Sequence, residues 1–459
     1  MYAPHTDADV AAMLAAVGKS SLEELVRVDE RLSPKAPMEV PPALPEVELA
    51  AKIAGYAKRN AATEYASFLG AGAYRHYVPP VVVSLAMRGE FLTAYTPYQA
   101  EVSQGYLQAI YEWQTYICLL TGLDIANASV YDGATALAEG AIMAVNATGR
   151  RAILVSSAVH PNYRAVLRTY ARGLDLDVEE LPVAAGGTTD FASLNARLAD
   201  GRFAAVALQS PNFFGCIDAP PAAVQAAIKA SGTVTIGVVA EALSLGALQP
   251  PGAWGADIAV GEGQSFGNAL AYGGPYVGFI AATKEHMRRI PGRLVGRSVD
   301  NRGNTAYVLT LQAREQHIRR EKATSNICTN QAHCALVATI YLAALGSTGL
   351  ARAATLNLQR TQELAARVTA VPGFTRAFTA PVFNEVVIRV PAGLGAEAVL
   401  EALKARKILG GVALGRWYPQ FADCILMNAT ELTTPAEIDA LGDALAQIAG
   451  ARETVAARG

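Results

Sequence analysis

Between Arg151 and Ala282, short apolar runs alternate with segments of helical pattern, and few architectures accommodate that alternation. Residues 152–155, 177–183, 204–208, 234–240 and 258–260 read as strands, and 276–281 as a returning strand. Helices are expected at 161–172, 191–199 and 222–230. Runs that are apolar throughout, rather than at every second position, suit strands covered on both faces. The expectation is therefore an α/β fold around a large, mostly parallel sheet. Ligands of such sheets sit beyond the carboxyl ends of the strands. The loops after Val155, Leu208, Ala240 and Val260 are where a site is expected.

The flanking regions read differently. Asp7 or Asp9 can start a short helix, and Ser20-Ser21 followed by Glu23-Glu24 another. A proline-rich connector spans 34–45, and 46–60 reads as a helix. In 101–121, Tyr106, Ile110, Trp113, Ile117 and Leu120 recur at four- and three-residue steps, the spacing of one apolar helix face. Residues 314–322 read as a charged helix, with Glu315 and Arg319 spaced for pairing across one turn. The stretch 323–330 breaks it, and 332–345 reads as an apolar helix. Beyond that, helices alternate with strands near 385–388 and 424–427. The expected organisation is an N-terminal helical arm (1–60), a large α/β domain (61–330) and a small α+β domain (331–459).

Composition narrows the function. Hydrophobic residues make up 52% of 459 and charged residues 17%, enough for a large buried core. A net charge of −2 gives no reason to expect a nucleic acid or a membrane surface as partner. The apolar stretch 334–345 is shorter than the roughly 20 residues a spanning helix needs. The N-terminus has no basic start and no apolar core of a secretory signal, so a cytoplasmic protein is expected. The five cysteines are scattered and the six histidines form no metal-binding spacing, so no metal site is expected.

A dinucleotide fingerprint, a Walker loop and a GxSxG elbow are all absent. A pyridoxal phosphate (PLP) site needs a lysine, a carboxylate for the pyridine nitrogen and a phosphate cradle at a helix start. Gly133 and Thr135 can form the cradle, Glu241 is placed to be the carboxylate, and His160 to stack on a ring. The lysine should follow the 258–260 strand, in the loop GEGQSFGNALAYGGP, but Gln264 stands there. Lys284 and Lys322 are the alternatives for a self-sufficient enzyme, one beyond a later strand and one on the charged helix.

Several stretches carry a resemblance: SFLGAGAYRHYVPPVV, EFLTAYTPYQAEVSQGYLQAIYEWQT, ANASVYDGATALAEG, GEGQSFG with GGPYVGF, and LQAREQHIRREKATSNICTNQA. Across nearly the whole chain the sequence resembles glycine dehydrogenase (decarboxylating), the P-protein of the glycine cleavage system, and within it subunit 1 of the two-subunit form. The resemblance implies the fold type I PLP-dependent transferase fold. It implies that PLP is held by a homologous subunit 2, not covalently by this chain, in an αβ pair doubled to a heterotetramer. It implies decarboxylation of glycine, with the aminomethyl group passed to the lipoyl arm of H-protein. Gln264 then stands where the sister subunit has its lysine. Glu241-Ala242 departs from the Asp-Pro expected there, which argues further against PLP on this chain. Tyr95, Tyr98 and Gln99 are expected to reach the partner's active site, and Gly133, Thr135, His160, Glu241 and Gln264 to line a vestigial pocket. A non-catalytic scaffold subunit is the remaining alternative.

Overall fold

The computed structural model describes residues 4–26, 29, 31–32, 36, 39–93, 99–323, 325–327 and 329–456. It divides into two compact units, Met1–Thr63 and Glu64–Gly459. In the first, the helix Asp7–Ala16 starts at Thr6, whose hydroxyl accepts from Asp9 N while the Asp9 carboxylate accepts from Thr6 N. This reciprocal cap is the reason the helix begins there. A second helix, Glu46–Ala57, follows Pro45.

Among the described residues all the strands lie in the second unit. They are β1 (Ala66–Ser67), β2 (Ile125–Ala126), β3 (Ala152–Ser156), β4 (Asp177–Leu181), β5 (Phe203–Gln209), β6 (Val234–Val239), β7 (Ile258–Glu262), β8 (Gly278–Ala282), β9 (Leu294–Val299), β10 (Thr305–Thr310), β11 (Thr375–Arg376), β12 (Glu385–Arg389), β13 (Ile408–Leu409), β14 (Val412–Ala413) and β15 (Cys424–Asn428). Seven of them form one sheet in the order β2-β8-β7-β6-β5-β3-β4. The neighbours from β7 to β4 pair in parallel, and β8 and β2 close one edge antiparallel. β3, β5, β6, β7 and β8 are buried at every position, in line with their mostly apolar sequences. The helices Gly133–Thr148 and Pro161–Leu174 cover one face, around Leu137, Ile153, Ile236 and Val260.

A smaller antiparallel sheet, β11-β12-β15-β14, packs its own core around Val387, Ile425, Met427 and Leu441. β1 pairs in parallel with β13, and Asn428 N donates to Phe68 O, which ties residues 66–68 to this smaller layer.

Three helical expectations change, the first at 20–25, which forms bends and turns rather than the helix expected to start at Ser20-Ser21. The apolar helix runs much further, from Ala332 to Thr369, with a break at Gly346 (φ 60°, ψ −176°). It is long and apolar enough to cross a membrane by composition, with a mean hydropathy of 1.7 over its best window. Cys334, Ala335, Ala338, Tyr341 and Leu342 are nevertheless spent on a protein core with Trp113 and Phe266. The charged helix at 314–322 does not form as one helix. It is split into a 3-10 turn Gln312–Arg314, one helical turn Gln316–Arg319 and a second 3-10 turn Arg320–Lys322. Arg320 takes φ 51°, which the interior of a right-handed α-helix does not accept, and Glu315 turns inward to be buried. Glu315 meets His317 at 3.5 Å in place of the expected pairing across one turn.

Candidate functional site at the carboxyl ends of the strands

The loops after β3, β5, β6 and β7 converge at one end of the sheet, and four of the expected site residues come with them. His160 follows β3 and starts the helix Pro161–Leu174, Glu241 follows β6, and Gln264 follows β7. Gly133 opens the helix that packs beneath them.

Their polar groups face a segment of the same chain, residues 70–77. Gln264 reads the backbone of Tyr74 with both ends of its amide. Its Oε1 accepts from Tyr74 N at 3.1 Å and its Nε2 donates to Tyr74 O at 3.1 Å. The same Nε2 donates to Asn268 O at 2.7 Å. A lysine has no acceptor and cannot make the first of these bonds, so the glutamine fits this backbone and the expected lysine does not. Gln264 is 3% exposed.

His160 is neutral, because burial lowers its pKa and its two nitrogens have opposite roles. Nδ1 accepts from Asn162 N at 3.1 Å, which leaves Nε2 to donate to Ala71 O at 2.8 Å. Its ring packs edge-on against Phe213 and beside Tyr163. A Cβ on Gly72 would fall 2.6 Å from that Nε2, and Gly72 holds φ 98°, so glycine alone suits the approach.

Glu241 is buried and fully used. Its Oε1 accepts from Leu243 N at 2.7 Å, and its Oε2 faces His76 Nε2 and Asn384 Nδ2, each at 3.2 Å. His76 Nδ1 reaches Glu431 Oε2 at 2.9 Å. Burial alone would lower the pKa of His76, but the carboxylates of Glu241 and Glu431 outweigh it and hold it up to about 10. Burial works to raise Glu431 as well, and the bonds from His76 reverse that, leaving it below the usual carboxylate range.

The helix start at Gly133 is a ready anion site. Two carboxylates of the chain already occupy it. Glu262 Oε2 accepts from Gly133 N at 3.1 Å, and Asp132 Oδ1 accepts from Thr135 N at 2.7 Å. Glu262 Oε1 also takes Gln264 N and Val277 N, at 3.1 and 3.0 Å. Burial pushes Glu262 up to about 7. A Cβ on Gly133 would fall 2.2 Å from Tyr163 Oη, so only glycine fits at this helix start.

These residues do not fit PLP. The amide at 264 cannot form a Schiff base, the cradle amides of Gly133 and Thr135 are taken, and Glu241 is committed to His76 and Asn384. The two alternative lysines stand apart: the backbone N of Lys284 donates to Asp124 Oδ2 in the turn after β8, and Lys322 lies in an exposed turn. Among the described residues no group of three or more histidines, cysteines or acids could hold a metal ion.

Gln99 is exposed, just before the 3-10 turn Ala100–Val102, while Tyr95 and Tyr98 lie outside the described residues. The sequence reasoning missed Tyr74, His76, Glu262, Glu385 and Glu431. The first two lie in FLGAGAYRHYVPP, whose density of glycine and tyrosine marks a recognition loop; it recognises this chain itself.

A family model described as glycine cleavage system P-protein matches residues 1–445. The probable glycine dehydrogenase (decarboxylating) subunit 1 of Anaeromyxobacter dehalogenans (strain 2CP-C) is 50% identical over 438 residues, 95% of this chain and 97% of that one. The protein of the same description from Carboxydothermus hydrogenoformans is 48% identical over 446 residues, 97% of this chain and 99% of that one. A crystal structure of glycine decarboxylase (P-protein) of the glycine cleavage system, in inhibitor-bound form, matches with a TM-score of 0.89 and 44% identity, covering 98% of this chain and 100% of that one. An alanine–glyoxylate aminotransferase from Nostoc sp. matches at a TM-score of 0.58 with 17% identity, a likeness of fold alone, covering 92% of this chain and 100% of that one. The fold is thus that of the fold type I PLP-dependent enzymes, as the sequence leads one to expect.

Proposed function

The chain belongs to the glycine cleavage system P-protein family, as a subunit 1 of glycine dehydrogenase (decarboxylating), and from this we propose that it is the subunit that leaves cofactor chemistry to its partner. The observation that carries the reading is Gln264. Its amide is bonded to Tyr74 and Asn268, in the loop where a PLP enzyme of this fold needs a lysine. The name subunit 1 implies a second subunit, and the reading assigns PLP to that homologous chain. The pair decarboxylates glycine and delivers the aminomethyl group to the lipoyl arm of H-protein. When bound by the partner, PLP supplies the electron sink for loss of CO2.

This chain's contribution is to shape and close the partner's site. Tyr95, Tyr98 and Gln99 are the residues assigned to that edge. Tyrosines suit such a role, offering an apolar face and a polar tip. The assembly is an αβ pair, doubled to a heterotetramer, working in the cytoplasm.

Glycine–CO2 exchange in the presence of lipoylated H-protein tests the division of labour. The expected result is no exchange with this chain alone and full exchange when subunit 2 is added. Exchange by this chain alone, with PLP supplied, overturns it.

A further inference from the structure

We propose that residues 70–77 act as a built-in crosspiece in the former cofactor space, with His76 as the ionic clasp that locks the seven-stranded sheet to the four-stranded sheet and holds the chain closed. The proposal starts from the misfit with PLP and concerns what replaced it.

Residues 70–77 are bonded on both sides. Toward the smaller sheet, Ala71 N donates to Glu385 Oε1 at 2.6 Å and Tyr74 Oη to Glu385 Oε2 at 2.8 Å. Tyr77 N donates to Glu431 Oε1 at 2.6 Å. Glu385 is the first residue of β12, and Glu431 follows β15. Toward the larger sheet, Ala71 O accepts from His160, and the backbone of Tyr74 pairs with Gln264.

His76 bridges the two layers with one side chain. Its nitrogens face carboxylate oxygens on opposite sides, Glu241 after β6 and Glu431 after β15. A carboxylate only accepts, so both nitrogens donate and the ring is an imidazolium. Its side chain is 2% exposed, and so is that of Glu241. The excess negative charge is spread over the amides of Asn384, Asn357 and Leu243. Such a pairing is strong only while complete, since removing the cation leaves two buried carboxylates facing each other.

An enzyme that admits substrate between two layers needs that gap to open. Here the gap is crossed by buried hydrogen bonds and an ion triad. The chain is built as a fixed body against which a partner can work.

Hydrogen–deuterium exchange on the purified full chain tests this, independently of any partner and hence of the proposed activity. In the wild type, peptides covering 70–77 should be as protected as those of β5 and β6. In His76→Gln and in Glu431→Gln, exchange in 70–77 and 428–433 should rise on the order of tenfold or more, with β5 and β6 unchanged. Rapid exchange of 70–77 in the wild type overturns the proposal, and so does unchanged protection in both variants. If neither variant folds, the wild-type comparison still decides.

Discussion

His76 and Glu431 meet at 2.9 Å, Nδ1 to Oε2, 355 residues apart in the chain. The same imidazole faces Glu241 on its other side. Removing the ring leaves the two carboxylates without their shared cation. His76→Ala is expected to lower the free energy of unfolding by about 3–5 kcal/mol. Glu431→Gln keeps an acceptor for His76 and should cost less, about 1–3 kcal/mol. Urea unfolding of both variants measures the difference, and equal, small losses would show that the triad carries no weight.

Stability should fall as pH rises. His76 is held up to about 10 in the folded chain against an ordinary 6.5, so its contribution is complete below 6.5 and lost as pH climbs through 10. Glu262 and Glu385 are pushed up to about 7 by burial from 4.5. The folded state favours their protonated form, so they too lose stability as pH rises, between 4.5 and 7. Glu431 has the opposite sign and matters only as pH falls below 4.5. Thermal melting from pH 5 to 10 should show a steady decline, and His76→Gln should remove most of the part above pH 7. A flat profile over that range contradicts the assignment.

Restoring the lysine should not restore the cofactor. In Gln264→Lys the new amine meets Tyr74 O and Asn268 O, and Tyr74 N loses its acceptor. Residues 70–77 still fill the space. Incubation with pyridoxal phosphate should give no internal-aldimine absorbance and no borohydride-trapped adduct at position 264. A stoichiometric adduct there would show that the pocket is open after all.

β3 to β8 are legible in the sequence because parallel strands covered on both faces are mostly apolar, a pattern that β3, β5, β6 and β7 keep apart from Ser156, Gln209, Thr235 and Glu262, whereas β1, β2, β9, β10, β11, β13 and β14 are not anticipated. The convergence of His160, Glu241 and Gln264 follows from the same topology. What fills the space between them is not legible. Tyr74 meets Gln264 across 190 positions and Ala71 meets Glu385 across 314, and no local pattern encodes pairs so far apart. The charged segment misleads for another reason. Its spacing suits a helix, but burial of Glu315 and the left-handed Arg320 come from tertiary packing.

The aromatic edge has a kinetic test. If Tyr95 and Tyr98 help to form the partner's site, the double variant Tyr95→Phe, Tyr98→Phe should assemble normally with subunit 2 and lose about tenfold or more in glycine–CO2 exchange, roughly 1.4 kcal/mol of barrier. Normal exchange by that complex would return the segment to ordinary loop packing.

On the proposed division of labour, this chain does no covalent cofactor chemistry. Borohydride reduction of the reconstituted two-subunit complex with pyridoxal phosphate, followed by peptide mapping, tests it most directly. The account predicts one modified lysine per pair of chains, on subunit 2, and none on this chain. A stoichiometric adduct at Lys284 or Lys322 would contradict it.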